Sequence, residues 1–237
     1  MSSAYLLVSH GSRDPRPEIA MQQLAKLVAN KLQIPEKFVG TASLEVNPEP
    51  LHEQIKQFAQ SAVLLGCRRL KIMPIFLLSG VHVMTDIPAE VALAKQAVGE
   101  DITIDLQPYL GSHPNLQRFF QQQLATIKAD AGILLSHGSR RPGSQQPIET
   151  IAANLGLVTA YWSVAPTLES RIQELVTFGK QEIAILPYFL FPGGITDAIA
   201  QAVDELKLQF PGVSFYLAAP LGASDELAIL IGDLIHA

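Results

Sequence analysis

The sequence has little cysteine and little charge. Cys67 is its single cysteine in 237 residues, and a lone cysteine cannot form an internal disulfide, so we expect a reducing, cytoplasmic compartment. Charged residues make up 16% of the chain and hydrophobic residues 48%, which excludes intrinsic disorder and indicates a compact protein with a large core. The net charge of −5 lacks the basic excess typical of nucleic-acid binding, so no nucleic-acid partner is expected.

The sequence also lacks the segments that direct a chain into or across a membrane. Its first residues, MSSAYLLVSHGS, have no basic region and only a short apolar run, so they do not resemble a signal peptide. The longest apolar stretch, around Ala184–Phe191, has the length of a strand and ends at Pro-Gly-Gly. We therefore expect neither secretion nor a membrane partner.

What the sequence does contain is an internal duplication. Three blocks recur in the same order: LLVSHGSRDPRP as LLSHGSRRPG, KIMPIFLLSG as AILPYFLFPG and, more loosely, PYLGSHPNL as PLGASDEL. The spacing between the copies falls from 127 residues at His10 and His137 to 113 at Pro74 and Pro187. Because SHGSR is repeated letter for letter, chance is a poor explanation, and the shrinking spacing indicates that the second copy has lost loop residues.

Each copy alternates between apolar runs of strand length and longer segments of helical periodicity. The predicted strands are Tyr5–Val8, Phe38–Leu44, Leu70–Leu77, Ile102–Leu106, Gly132–Leu135, Val158–Tyr161, Ile183–Leu190 and Val213–Leu217. Helical periodicity is clearest at Ile19–Leu32, Leu51–Leu64 and Ala89–Val98. Such apolar strands separated by helices are typical of parallel sheets covered on both faces. We therefore predict an α/β fold of two duplicated domains, residues 1–129 and 130–237, each with a parallel four-stranded sheet.

Three potential metal ligands follow three successive strands of the first copy. His10 follows the first strand, Glu45 the second and His82 the third, each separated from the next by one strand–helix unit. Because ligands bind at the carboxyl ends of parallel strands, we expect these side chains to meet at one edge of the sheet. Two imidazoles and a carboxylate suit a borderline divalent ion, and histidine can also exchange protons near neutral pH.

Other interpretations of these residues stay open at this stage. Glu49 lies close enough to replace Glu45 as the acidic partner, and His10 alone could be the nucleophile of a phosphate-transfer enzyme. That second interpretation explains neither His82 nor the pattern of loss in the second copy. The remaining histidines outside the two SHGSR turns are predicted on surface helices or loops: His52, His113 and His236.

The SHGSR turn, the Leu-Glu segment after the second strand and the segment PIFLLSGVHVMTDIP together resemble the sirohydrochlorin chelatases. The resemblance covers nearly the whole chain and includes the tandem arrangement of the longer family members. It implies two flavodoxin-like lobes with a tetrapyrrole bound between them, and it implies that His10 and His82 handle the metal with Glu45 as their acidic partner. It also implies no organic cofactor and no ATP, in keeping with the lack of a GxxxxGK[ST] phosphate loop.

The resemblance further implies a substrate rich in carboxylates, which an acidic protein must bind with locally placed cations. Arg13 and Arg140, one in each SHGSR turn, are the candidates. The segments next to the ligands complete the expected substrate contacts: Ser12, Ser79, Gly80 and Val81.

The second copy keeps only one of the three candidate ligands. Ser163 stands opposite Glu45, and Ile195 stands opposite His82, unless Thr85-Asp86 is matched to Thr196-Asp197, in which case His82 falls in a deletion. We therefore expect the first domain to carry the active site and the second to form the other wall of the cleft. For His137 we favour a hydrogen bond within its turn over contact with substrate.

The metal and the assembly are the least determined features. A site of two histidines and one glutamate accommodates Fe²⁺, Co²⁺ and Ni²⁺. The lack of a histidine-rich tract and of a cysteine cluster favours Fe²⁺ and sirohaem synthesis, with Co²⁺ and cobalamin synthesis next. The alternative to a chelatase is a non-catalytic carrier of metal or tetrapyrrole. Because the duplication mimics a dimer of single domains, we expect a monomer.

Overall fold

The fold is built on two parallel sheets. A computed structural model of the protein describes residues 3–141 and 143–236. The first sheet has the order β2-β1-β3-β4, with strands Ser3–Ser9 (β1), Val39–Ser43 (β2), Arg69–Pro74 (β3) and Thr103–Leu106 (β4). The second has the same order, β6-β5-β7-β8, with strands Ala131–Ser136 (β5), Val158–Tyr161 (β6), Glu182–Pro187 (β7) and Ser214–Leu217 (β8). All pairings are parallel, so the predicted α/β class and four-stranded sheets are confirmed.

Helices connect the strands and cover the sheets. Those of the first copy are Pro15–Leu32 (α1), Leu51–Leu64 (α2), Ile87–Val98 (α3) and Leu116–Ala125 (α4). Those of the second copy are Gln146–Leu155 (α5), Leu168–Thr177 (α6), Gly194–Gln209 (α7) and Asp225–His236 (α8). No helix among the described residues combines the length and the apolar character that crossing a membrane requires.

The third strand of each sheet, β3 and β7, ends at a proline. Leu70–Leu77 was predicted as one strand, but β3 ends at Pro74, and the predicted strand Ile183–Leu190 ends at the matching Pro187. Proline has no N–H to donate to a neighbouring strand. The residue after each proline still hydrogen-bonds to the neighbouring strand. The N–H of Ile75 donates to the carbonyl of Val8 at 2.7 Å, and the N–H of Tyr188 donates to the carbonyl of Leu135 at 2.7 Å.

The two compact units of the structure do not coincide with the two halves of the duplication. The first unit holds the chain up to Leu116 together with the segment from Ala223 onwards, and the second unit is Gln117–Gly222. Nearly all of α4 therefore belongs to the second unit, and α8 belongs to the first. The last helix of each half has been exchanged, and the division at residue 129 remains a prediction about the repeat.

Side-chain contacts hold each exchanged helix in its unit. In the first unit, α8 packs on α1, Lys71 of β3 donates to the carbonyl of Ile235, and His113 lies 3.7 Å from Asp233. His113 is only 8% exposed, so its predicted surface position is wrong. The reason is that the helix covering it comes from the other half of the sequence.

The exchanged helix of the second unit is held in a similar way. The ring of Phe120 in α4 stacks on Tyr188 with centroids 5.3 Å apart. The side-chain amide of Gln123 donates to the carbonyl of Ala219 at 2.9 Å. Phe120 is 1% exposed, so α4 contributes to the core of the second unit.

Candidate functional site

His10, Glu45 and His82 come together in the first unit. One ligand atom from each lies within 4.8 Å of the others. Nε2 of His10 is 3.8 Å from one carboxylate oxygen of Glu45, and Nε2 of His82 is 4.0 Å from the other. His10 and Glu45 have half of their side-chain surface exposed and His82 has 29%. The sequence thus predicted the grouping, and the metal-binding role of the three residues remains a prediction.

Backbone hydrogen bonds extend the first sheet past its strand ends and carry these residues with it. The N–H of Leu44 donates to Ser9 at 2.9 Å, and the N–H of Glu45 donates to His10 at 2.8 Å. Leu44 and Glu45, the two residues after β2, therefore run alongside the end of β1 and the residue that follows it. As a result, Glu45 lies beside His10 because of the backbone rather than because of side-chain attraction.

Gly11 allows these two segments to approach. Its φ is +96°, in the left-handed region that favours glycine, and a Cβ placed there would lie 2.1 Å from the carbonyl oxygen of Glu45. A side chain at this position would push Glu45 away from the histidines. Gly11 therefore permits both the tight turn after β1 and the close approach of the candidate ligand Glu45.

Val46, directly after Glu45, has a strained backbone. Its φ is +69°, which costs a non-glycine residue about 1–2 kcal/mol and is rarer still for a β-branched side chain. Strain of this kind concentrates at functional sites. Among the described residues of the second copy, Val164, next to Ser163, is not in this region. The strained residue therefore accompanies the copy that holds the candidate site.

The Val46→Gly substitution should make the protein more stable and weaken metal binding at the candidate site. Relief of left-handed strain outweighs the added chain entropy of glycine, for a net gain of about 0.5–1 kcal/mol in the free energy of unfolding. The freed backbone would hold Glu45 less firmly, so the affinity for Co²⁺ should fall about tenfold. Urea unfolding and a Co²⁺ titration measure the two effects. Val164→Gly is the control, because it adds entropy without relieving strain and should be destabilising; a loss of stability in Val46→Gly would contradict the interpretation.

His82 opens a π-turn that leads into α3. Residues His82–Asp86 form a turn of π-helix, in which the N–H of Ile87 donates to the carbonyl of His82. Single π-turns are frequent at functional sites. Within this turn Nδ1 of His82 lies 2.7 Å from a carboxylate oxygen of Asp86, while Nε2 is the nitrogen nearer Glu45. The ring is therefore fixed between two carboxylates.

The rings of the two histidines meet edge to face over an aromatic side chain. Their centroids are 4.8 Å apart with an interplanar angle of 83°. Phe76 lies 6.5 Å from His10 and 6.3 Å from His82, centroid to centroid. Nδ1 of His10 is 3.3 Å from the carbonyl oxygen of Gly11. An apolar ring therefore lies beside both imidazoles, while half of the His10 side chain remains exposed.

The structure separates the two candidate acidic partners. Glu49 accepts a hydrogen bond from the side-chain amide of Gln57 at 3.0 Å and is outside the group of ligand atoms. Glu45 is inside it. The geometry therefore favours Glu45.

The turn after His10 is held by its own hydrogen bonds. The hydroxyl oxygen of Ser12 accepts from the N–H of Asp14 at 3.0 Å, and Asp14 caps α1 by accepting from the N–H of Arg16. The guanidinium of Arg16 also donates to Asp14, and these hydrogen bonds hold the pKa of the Asp14 carboxyl below its ordinary value. Arg13 is exposed, as its predicted contact with substrate requires.

The other predicted substrate contacts lie in two places. Ser79, Gly80 and Val81 are exposed and directly precede the π-turn, where the carbonyl of Gly80 accepts from the N–H of Met84 at 3.0 Å. Arg140 is exposed and belongs to the second unit. Contact of any of these residues with substrate remains a prediction.

The second unit keeps the backbone of the site without its side chains. The N–H of Ser163 donates to the carbonyl of His137 at 2.9 Å, as Glu45 does to His10, and the hydroxyl of Ser163 donates to the same carbonyl at 2.8 Å. In place of the π-turn, α7 begins at Gly194 as a regular α-helix capped by Gly193. His137 is exposed, and it stands without counterparts of Glu45 and His82.

Sequence reasoning missed Asp86 and Val46. A signal existed for Asp86, since an acid four residues after a histidine is the spacing of a side-chain pair on a helix. No signal existed for Val46, because valine is among the residues least expected at positive φ.

The sequence profile of the CbiX family matches the chain twice, over residues 4–127 and 131–236. The chain belongs to the CbiX family. Among curated proteins, a sirohydrochlorin cobaltochelatase of Priestia megaterium is 23% identical over 96% of this chain and 77% of its own length. A chloroplastic sirohydrochlorin ferrochelatase of Arabidopsis thaliana is 31% identical over 46% of this chain and 52% of its own length. The predicted resemblance to the sirohydrochlorin chelatases is confirmed.

Solved structures agree on the fold. SirB from Bacillus subtilis with Fe³⁺ superposes with a TM-score of 0.80 at 19% identity, covering all of this chain and 95% of its own. The sirohydrochlorin chelatase SirB from Bacillus subtilis subspecies spizizenii in complex with cobalt gives 0.75 at 21% identity, over all of this chain and 94% of its own. This CbiX-family chain therefore has the α/β fold of those proteins.

Proposed function

We propose that this chain inserts a divalent metal ion into sirohydrochlorin, with His10, Glu45 and His82 receiving the metal. The observation that carries the proposal is the convergence of two imidazole nitrogens and a carboxylate, within 4.8 Å, at the carboxyl edge of one sheet. Family relatives named sirohydrochlorin cobaltochelatase and sirohydrochlorin ferrochelatase support it.

The chemistry of the group suits this reaction. Insertion exchanges one divalent cation for two pyrrole protons, so charge is balanced, and we propose that it proceeds without ATP. Imidazole nitrogens and a carboxylate bind a partly dehydrated divalent ion, and a carboxylate or a neutral imidazole can accept a proton. The half-exposed side chains of His10 and Glu45 leave one side of the ion open to a flat macrocycle.

The donor set suits more than one metal. Nitrogen and oxygen ligands bind Fe²⁺, Co²⁺ and Ni²⁺ in an order set by the ions rather than by this site. We place Fe²⁺ first and Co²⁺ next, with sirohaem synthesis as the corresponding pathway, and no organic cofactor takes part. We further infer that a single chain acts alone, since its duplication supplies two lobes.

Turnover tests the proposal directly. The purified chain is incubated without ATP, under anaerobic conditions, with a large excess of sirohydrochlorin and either Fe²⁺ or Co²⁺, and the absorbance change of the macrocycle is followed. A chelatase converts many equivalents of substrate faster than the uncatalysed control. A carrier stops after one equivalent per chain, and that result would overturn the proposal.

A further inference from the structure

Asp86 contacts the candidate metal site through His82. Its carboxylate oxygen lies 2.7 Å from Nδ1 of His82, and the three-residue group of potential ligands does not include it. We propose that Asp86 is a positioning residue that keeps the proton of His82 on Nδ1, so that the lone pair of Nε2 is presented to the metal. The inference rests on the proposed function for its consequence in catalysis.

The hydrogen-bond chemistry of the pair determines the tautomer. An ionised carboxylate only accepts hydrogen bonds, so the short contact with Asp86 requires a proton on Nδ1. In a neutral imidazole the other nitrogen then carries the lone pair. Here that nitrogen is Nε2, which lies 4.0 Å from Glu45. Ligating histidines are commonly held in this way by a carboxylate behind the ring.

The helical turn explains why Asp86 reaches the ring. Residues four positions apart lie on the same face of a helix, where their side chains are neighbours. His82 and Asp86 hold such positions at the two ends of the π-turn. The carboxylate therefore meets Nδ1 on one side of the ring, and Nε2, on the other side, is the nitrogen nearer Glu45.

A purely structural role for Asp86 predicts a different result, and the second unit offers the matched comparison. Asp197 stands in the first turn of α7, where an acidic residue stabilises a helix N-terminus. In the alignment that pairs Thr85-Asp86 with Thr196-Asp197, the second copy has no histidine opposite His82. Asp197→Ala thus removes an acidic residue from the start of a helix outside the candidate metal site.

The decisive experiment reads the tautomer of His82 in the full-length protein without metal or tetrapyrrole. The imidazole nitrogens are observed by ¹⁵N NMR at mildly alkaline pH, and the His82 signals are identified by their loss in His82→Ala. We expect the Nδ1–H tautomer in the wild type and a shift toward Nε2–H in Asp86→Ala. Retention of the Nδ1–H tautomer in Asp86→Ala would overturn the proposal.

A Co²⁺ titration of the same variants reads the consequence for metal binding. We expect Asp86→Ala to bind Co²⁺ about 10–100-fold more weakly, with an altered visible absorption of the bound ion, and Asp197→Ala to bind like the wild type. An equal loss of Co²⁺ affinity in both variants would mean that Asp86 only stabilises its helix, which contradicts the proposal. If instead the wild type fails to turn over sirohydrochlorin while the NMR result holds, the proposed function fails and the positioning of His82 by Asp86 stands.

Discussion

His82→Ala should lower metal insertion by about 100-fold or more. The substitution removes one of the two proposed imidazole ligands, and loss of an outer partner alone commonly costs 10–100-fold in metal affinity or activity. His10 and Glu45 would remain, with Nε2 and the carboxylate 3.8 Å apart, so two of the three proposed ligands would be left for the ion. The measurement is the initial rate of insertion into sirohydrochlorin together with the affinity for Co²⁺.

His137→Ala is the matched control for that substitution. His137 occupies the same SHGSR turn in the second unit, but Ser163 stands where Glu45 would be. We therefore expect an insertion rate within about twofold of the wild type, because an exposed side chain away from special contacts contributes little. Equal losses in His82→Ala and His137→Ala would show that the choice of the first unit as the active one is wrong.

Gly11→Ala should damage both stability and metal binding. The backbone at Gly11 has a left-handed φ of +96°, and an added Cβ would lie 2.1 Å from the carbonyl oxygen of Glu45. Backbone strain and steric overlap together should lower the free energy of unfolding by about 3 kcal/mol. Relief of the overlap requires Glu45 to move away from His10. We therefore expect the affinity for Co²⁺ to fall about tenfold or more.

Two other glycines separate the energetic cost of backbone strain from the cost of steric overlap. Gly66 has a φ of +83° with nothing within 4 Å of a built Cβ, so Gly66→Ala should cost only the backbone strain, about 1 kcal/mol. Gly138 has a φ of +80° and a built Cβ 2.7 Å from the Cβ of Tyr161. Gly138→Ala should destabilise the second unit while Co²⁺ affinity is retained. If Gly11→Ala is no worse than Gly66→Ala, the close contact with Glu45 has no energetic consequence.

The sequence was most informative where the pattern of apolar residues determines the secondary structure. The eight strands of the described residues lie near their predicted positions, because buried parallel strands are nearly continuous apolar runs. The rule that ligands gather at the carboxyl ends of such strands then placed His10, Glu45 and His82 together without any local motif. The errors at Pro74 and Pro187 were of strand length, and each proline could have indicated the end.

The sequence was least informative where the structure depends on contacts far along the chain. His113 is buried because Asp233 and the rest of α8 lie against it, and no local pattern places α8 in the first unit. The left-handed backbone of Val46 and the π-turn at His82 are tertiary effects as well. Both are less stable locally than the regular alternative, so local propensity predicts against them.

The exchange of the last helices has a consequence for the order in which the two units can be completed. The second unit is one continuous segment, Gln117–Gly222, so all of its residues precede α8 in the chain. The first unit contains the candidate site, yet it needs α8, which follows the whole of the second unit. Truncation before Asp225 would remove apolar side chains of α8 that are buried, among them Leu227, Ile231 and Ile235. The candidate site therefore lies in the unit that cannot be complete until the second unit has been synthesised.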